Sequence, residues 1–340
     1  MGIGNIQYCR NQLIMSQFTL YKSSDPSSPV LYGTTGSLLS VLDACLVNGY
    51  GTQPGAGWTK PFANFSSSYG CYLQPTGSGM TLFVNDSGSN STSLFREAWA
   101  TGWENLTGLN TAVTNSNGTG TGQFPTPVQS LITGHVVIRK SATMDITSSR
   151  QWLVAADSSS FYLFIITGDI TATYYAFAFG DIYSFKSPID SYKCVIIGRV
   201  AENSSTAGND GFDLFATTLN LPVQGNYVVR SYTGLGTSVQ IEKHGDTIKG
   251  TNYFSGSIAF PNPTDSAFYV SPLWVVEPSS SIIRGQLRGL YQSLHSAANF
   301  IDGQAFSGSL DYNGKVFQVI NASPNGGAYV IETSNTLATN

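Results

Sequence analysis

Residues 152–166 read WLVAADSSSFYLFII. Two apolar runs, Trp152–Ala155 and Phe161–Ile166, flank Asp157-Ser158-Ser159-Ser160. Bulky aromatic and branched residues suit a pleated, half-buried surface, and a short Asp/Ser cluster suits a turn, so the stretch is strand, turn, strand. A similar unit stands upstream. Cys71-Tyr72-Leu73 is followed by Thr76-Gly77-Ser78-Gly79, then Met80–Val84, then a closing turn at Asn85-Asp86-Ser87-Gly88. The likeness of the two units is too slight to indicate a duplication. Tyr174–Phe179, Tyr192–Ile197, Tyr227–Tyr232, Phe268–Val276, Val316–Ile320 and Ala328–Ile331 read as further strands. Many short strands at short intervals predict a mainly β fold of sandwich or barrel-like antiparallel sheets. Arg284–Leu294 reads as a short helix or tight loop.

One segment departs from this period. From Ser37 to Asn48, Leu38, Leu39, Val41, Leu42, Cys45 and Leu46 recur at spacings of three and four. They form one apolar face of a short N-terminal packing helix. Thr35 or Ser37 is placed to cap its start, and Gly49 to supply a left-handed cap at its end. Asp43 and Asn48 fall on the polar side. Beyond the helix, a Gly/Pro-punctuated loop delivers Trp58 to a strand. The expected organisation is an extended arm over residues 1–36, a helix plus β-hairpin domain over 37–115 and a β-rich domain over 116–340. One continuous fold is the alternative. The arm either docks on a neighbouring subunit or adds a strand to its own sheet. The Gly/Ser/Thr/Asn segment Asn110–Gln123 is the best linker candidate, or a long loop within one fold.

The 340 residues are 41% hydrophobic and 12% aromatic, enough to bury a core rather than remain disordered. Charged residues make up only 11%, where an average domain has about 25%. Ser, Thr, Asn, Gly and Gln stand in their place. Uncharged polar surface is cheaper to desolvate than charged surface, which suits permanent packing in shells and fibres. A low-charge secreted β protein has the same composition. With a net charge of −4 and Arg139-Lys140 as the longest basic cluster, an electrostatic footprint for nucleic acid is missing. No window approaches the ~18 apolar residues of a membrane span, so no membrane insertion is expected. The start MGIGNIQ lacks a basic region and an apolar run, so no secretory signal is expected. Cys9, Cys45, Cys71 and Cys194 form no CxxC pair and read as free structural thiols, Cys45 as a buried one.

A search for chemistry returns little. His135, His244 and His295 have no partner at metal-ligand spacing, and His135 reads as the start of a strand. Ser78 lies between Gly77 and Gly79 without the spacing of a nucleophile elbow. Gly308 and Gly314-Lys315 are one residue too far apart for a phosphate loop, and Val316 replaces its hydroxyl. Lys315 reads instead as opening a strand after a type I′-like Asn313-Gly314 turn. Glu97, Asp169 and Asp181 are carboxylates that a glycosidase would need in pairs, but nothing in the sequence pairs them. Asn209-Asp210-Gly211-Phe212-Asp213 offers three oxygen ligands, too few for a calcium loop, and reads as a turn. Phe95, Trp99, Trp103, Tyr174, Tyr175, Phe177 and Phe179 would stack on sugar rings, but read more simply as core or subunit interface. No catalytic, cofactor-binding or metal residue is assigned, and no enzyme activity or cofactor is expected.

The segment Val41–Lys60, with LDACLVNGYG and AGWTK, resembles virion structural proteins of tailed bacteriophages. Ala98–Thr126, including Trp103-Glu104-Asn105 and Gly120-Thr121-Gly122-Gln123-Phe124-Pro125-Thr126, resembles their GYE…GTG…FPT region, with tryptophan in place of tyrosine. Trp152–Phe164 resembles their W…D…FYLF pair, Phe179–Ser187 their FGD…SFK motif, and Arg284–Tyr291 their RG…LPGLY segment. The resemblance implies a virion location, in the tail or a tail fibre, with a homo-oligomer and other virion proteins as partners. A capsid decoration or head-fibre role and a host-glycan receptor-binding module are the alternatives, with a polysaccharide depolymerase behind them. The resemblance supplies no catalytic residues.

Overall fold

A computed structural model describes residues 18–64, 68–87, 96–109, 118–126, 134–141, 146–166, 174–186, 188–199, 224–244, 259–296, 300–309, 312–320 and 327–333. The fold is mainly β, with antiparallel sheets and one short helix. The hairpin of residues 152–166 lies inside the larger sheet as β8 (Trp152–Ala156) and β9 (Ser160–Ile166). On one side of it is β1 (Thr19–Lys22), so this part of the N-terminal arm adds a strand to the chain's own sheet. On the other side follow β10 (Tyr174–Asp181), β12 (Cys194–Arg199), β7 (Val136–Ser141), β5 (Arg96–Leu109), β4 (Thr81–Asn85), β3 (Tyr69–Leu73) and β2 (Ala63–Asn64). Off this path, β6 (Gly118–Phe124) pairs with β5, β13 (Gln224–Arg230) with β12, and β14 (Thr237–Gln240) with β13. Strands from both sides of the expected boundary at residues 115 and 116 thus belong to one sheet.

The smaller sheet has the order β15 (Glu242–His244), β16 (Val270–Glu277), β17 (Ile282–Ser296), β20 (Gly327–Thr333), β19 (Val316–Ile320) and β18 (Ala305–Ser307). Its seventh strand, β11 (Tyr183–Ser184), pairs with the first part of β17. The chain crosses between the sheets on single buried residues, Ile182 between β10 and β11 and Ile241 between β14 and β15. Such corners are where strands change sheets in packed β architectures. Leu273, Val275, Leu287, Leu290, Tyr329 and Ile331 of the smaller sheet join the same core as Val154, Leu163, Phe177 and Ile196 of the larger.

The helix falls where the sequence places it. An α-helix, α1 (Ser37–Leu42), runs into a π-helical turn over Asp43–Asn48, and the six expected apolar residues are buried. Its ends differ from expectation. Neither Thr35 nor Ser37 caps the start: the Ser37 hydroxyl accepts the Tyr32 N–H at 2.6 Å. Asp86, at the end of β4, instead accepts the Leu38 N–H at 2.8 Å. Gly49 has φ 78° and ψ 174°, so it takes the positive φ that favours glycine but not the αL conformation of the expected cap. Trp58 plugs the core beyond it, its Nε1–H donating to the Asp157 carbonyl at 2.7 Å beside Phe161 and Phe179.

Three further expectations are corrected. Arg284–Leu294 is neither helix nor tight loop but lies within β17. Its ladder with β16 shifts register twice, which erases the period of two. Gly285 suggests a loop in sequence, yet a Cβ there would overlap the Tyr183 carbonyl of β11, so close strand approach requires glycine. The end of the Asn110–Gln123 segment is strand β6, laid against β5 with Trp103 opposite Gln123 and Asn105 opposite Thr121. Residues 110–117 lie outside the described residues. At the Asn313-Gly314 turn only Gly314 takes a positive φ, 82°, so the turn is not type I′.

Candidate functional site

The turns at Thr76–Gly79 and Asp157–Ser159, nearly eighty residues apart in sequence, meet beside the corner from β10 to β11. They enclose a cleft of about 480 Å³ whose walls include Thr76, Ser158, Asp181, Tyr183, Lys186, Lys193 and Arg288. Asp181 forms the floor, with its side chain only 1% exposed. It accepts the Ser78 N–H at 2.9 Å, the Ser78 hydroxyl and the Gln74 side-chain amide at 3.2 Å. Gly77 makes this possible: its φ is 79°, and a Cβ would collide with the carboxylate. Lys193, a third exposed, stands 3.5 Å from the same carboxylate.

The opposite turn is held by Asp157. One of its oxygens accepts the Ser159 and Ser160 N–H groups, each at 2.8 Å, an Asx turn that opens β9. The other meets Arg288 at 2.9 Å, and Arg288 also donates to the Ser159 hydroxyl. The Thr76 and Ser158 hydroxyls close the gap between the turns at 2.8 Å. Lys186 makes no hydrogen bond through its ammonium and no ion pair among the described residues. The cleft lining therefore carries three cations, Lys186, Lys193 and Arg288, and two carboxylates, Asp181 and Asp190, both already occupied by protein donors.

A tighter ionic cluster adjoins it and shares Ser184 and Asp190 with its lining. Arg284 places all five of its donors: Nε and Nη2 on Asp190 at 2.7 and 2.8 Å, Nη1 on Glu277 and on the Arg230 carbonyl at 3.2 Å, and Nη2 on the Tyr192 carbonyl at 3.0 Å. Asp190 also accepts the Ser184 hydroxyl at 2.6 Å. Burial pushes the Asp190 carboxyl upward, but the Arg284 and Ser184 hydrogen bonds and the guanidinium charge outweigh it and hold the group below its ordinary value.

The sequence candidates scatter. Ser78 and Asp181 are brought together, without an imidazole or thiol among the residues of the cleft. Ser78 is thus paired with a carboxylate but not with the base that would activate a nucleophile. Glu97 is elsewhere, buried on β5 against Arg139 at 3.3 Å, and Asp169 lies outside the described residues. His135 is buried at the start of β7 and stacks on Trp99 at 4.5 Å. His295 is buried among Phe260, Phe268 and Phe300, accepting the Tyr269 N–H on Nε2 and facing the Ala259 carbonyl with Nδ1, each at 2.9 Å. The side chain of His244, residues 209–213, Phe95 and the Tyr174 side chain lie outside the described residues. Tyr175, Phe177 and Phe179 are core, and Trp103 is buried with Tyr69, Cys71 and Phe83. Cys45, Cys71 and Cys194 are free and buried, and burial pushes the Cys71 thiol up to about 12. Lys186, Lys193 and Arg288 were not singled out in the sequence, although the FGD…SFK resemblance contains both Asp181 and Lys186.

No protein-family model matches the chain, and no curated protein matches its sequence.

Proposed function

We propose that this chain is a structural subunit of a tailed-phage virion, placed in the tail or a tail fibre and packed against copies of itself and other virion proteins. The observation that carries the proposal is the resemblance through Val41–Lys60. The fold gives that segment a physical role: it supplies the buried face of α1 and the Trp58 plug against the β8–β9 turn. A second support is the paucity of charge, 11% of residues, over an extended β scaffold with strands β2 and β18 at sheet edges. Edge strands carry unpaired backbone groups that another chain is able to complete. A third is apolar side chains left on the surface near the first part of β17, including Phe185, Ile189 and Ile283. In this role the chain works passively, without catalysis or a cofactor.

Mass spectrometry of gradient-purified virions tests the proposal. The protein is expected among the particle components at stoichiometric copy number, and its absence from intact particles would refute the assignment. Immunogold labelling on the head rather than the tail would replace tail subunit by capsid decoration.

A further inference from the structure

We infer that the cleft between the Thr76–Gly79 and Asp157–Ser159 turns binds an acidic saccharide. The inference is independent of the virion assignment, because the isolated chain suffices to test it. Three features select this ligand class. First, Lys186, Lys193 and Arg288 bring three positive charges to one cleft, while the lining carboxylates Asp181 and Asp190 are held by Ser78 and Arg284 and Asp157 holds the second turn. Lys186 has no partner among the described residues and Lys193 is held only loosely, so their ammonium groups are available to an anion.

Second, three backbone N–H groups at the two turns are already committed to carboxylates of the chain. Ser78 donates to Asp181, and Ser159 and Ser160 donate to Asp157. Many phosphate sites add a nest of free N–H groups to their cations. With flexible lysines as its main free donors, the cleft is suited to a single carboxylate. Third, the rest of the lining matches a polyhydroxylated ring. Thr76 and Ser158 present hydroxyls, and Tyr183 and Ile182 supply a less polar flank. The volume of about 480 Å³ lies within the ordinary range of small-ligand sites. The lysine ammoniums would meet the sugar carboxylate, the hydroxyls would bond its ring oxygens, and Tyr183 would cover one face.

Isothermal titration of the full chain with glucuronate and sialyllactose, against lactose and inorganic phosphate, tests this. Binding of an acidic saccharide is expected, with lactose and phosphate much weaker. Lys186→Gln and Lys193→Gln should each weaken it roughly ten- to hundredfold, since a hydrogen bond to a charged group is lost. Both residues are partly exposed, so circular dichroism and melting temperature should match the parent chain. No binding of either acidic probe at millimolar concentration would overturn the inference. So would affinity unchanged by both substitutions, or phosphate binding as tightly as the saccharides.

Discussion

Arg284 and Arg288 stand four residues apart on β17 and face opposite conditions. Arg284 is 1% exposed and spends every donor on the protein, on two carboxylates and two carbonyls. Arg288 is 19% exposed, holds one carboxylate and one hydroxyl, and lines an open cleft. Residue type and strand are shared, so the difference comes from what the neighbouring segments bring. Asp190, Glu277 and the carbonyls of Tyr192 and Arg230 converge on Arg284, whereas two turns frame Arg288 from the side. The junction of the sheets is therefore closed by charge at one arginine and left open at the next.

The largest expected effect breaks the closed side. Arg284→Met leaves Asp190 and Glu277 buried without their cation, and removing one partner of a buried pair costs about 3–5 kcal/mol. Urea unfolding would read it as a lower midpoint, and an unchanged midpoint would mean that the cluster carries no net stability. Next comes the frame of the open side. Gly77→Ala forces a side chain into a left-handed backbone and onto the Asp181 carboxylate, at a cost of roughly 1–3 kcal/mol. Thermal unfolding of that variant, with Gly79→Ala as a control that meets nothing within 4 Å, separates crowding from backbone strain alone.

Acid sharpens the comparison further. A carboxylate whose folded pKa is depressed adds stability above its unfolded pKa, and this is lost as pH falls through the folded value. Asp190, held below its ordinary 3.8, should contribute a slope to stability below about pH 4. Asp190→Asn should lower stability at neutral pH and flatten that acid limb. A limb as steep as the parent's would show that other carboxylates produce it. The smallest effect concerns thiols. With the Cys71 pKa near 12 and those of Cys45 and Cys194 well above 9.0, native protein should resist iodoacetamide at all three, and peptide mapping after denaturation should find them alkylated.

The legible part of the sequence was the part governed by local pattern. The helix over residues 37–48 showed its 3.6-residue period, and the β3–β4 and β8–β9 hairpins showed turn residues between apolar runs. β7 was legible at its start, after His135, but not in its second half, where Arg139 and Lys140 are buried with the rest of the strand. A basic dipeptide ordinarily signals surface, and only the distant Glu97 and Asp86 reveal otherwise. β17 was hidden by its glycines and register shifts. The cleft was illegible for a different reason: four segments spread from Thr76 to Arg288 build it, and nothing local to any one of them records the other three.

The most direct test sets Arg284→Lys beside Arg288→Lys in parallel urea unfolding. Lysine keeps the charge but loses the planar fork. Destabilisation of several kcal/mol at residue 284, with a change within about 1 kcal/mol at residue 288, is the predicted result. Equal losses at both positions would contradict the distinction between a closed and an open side of the junction.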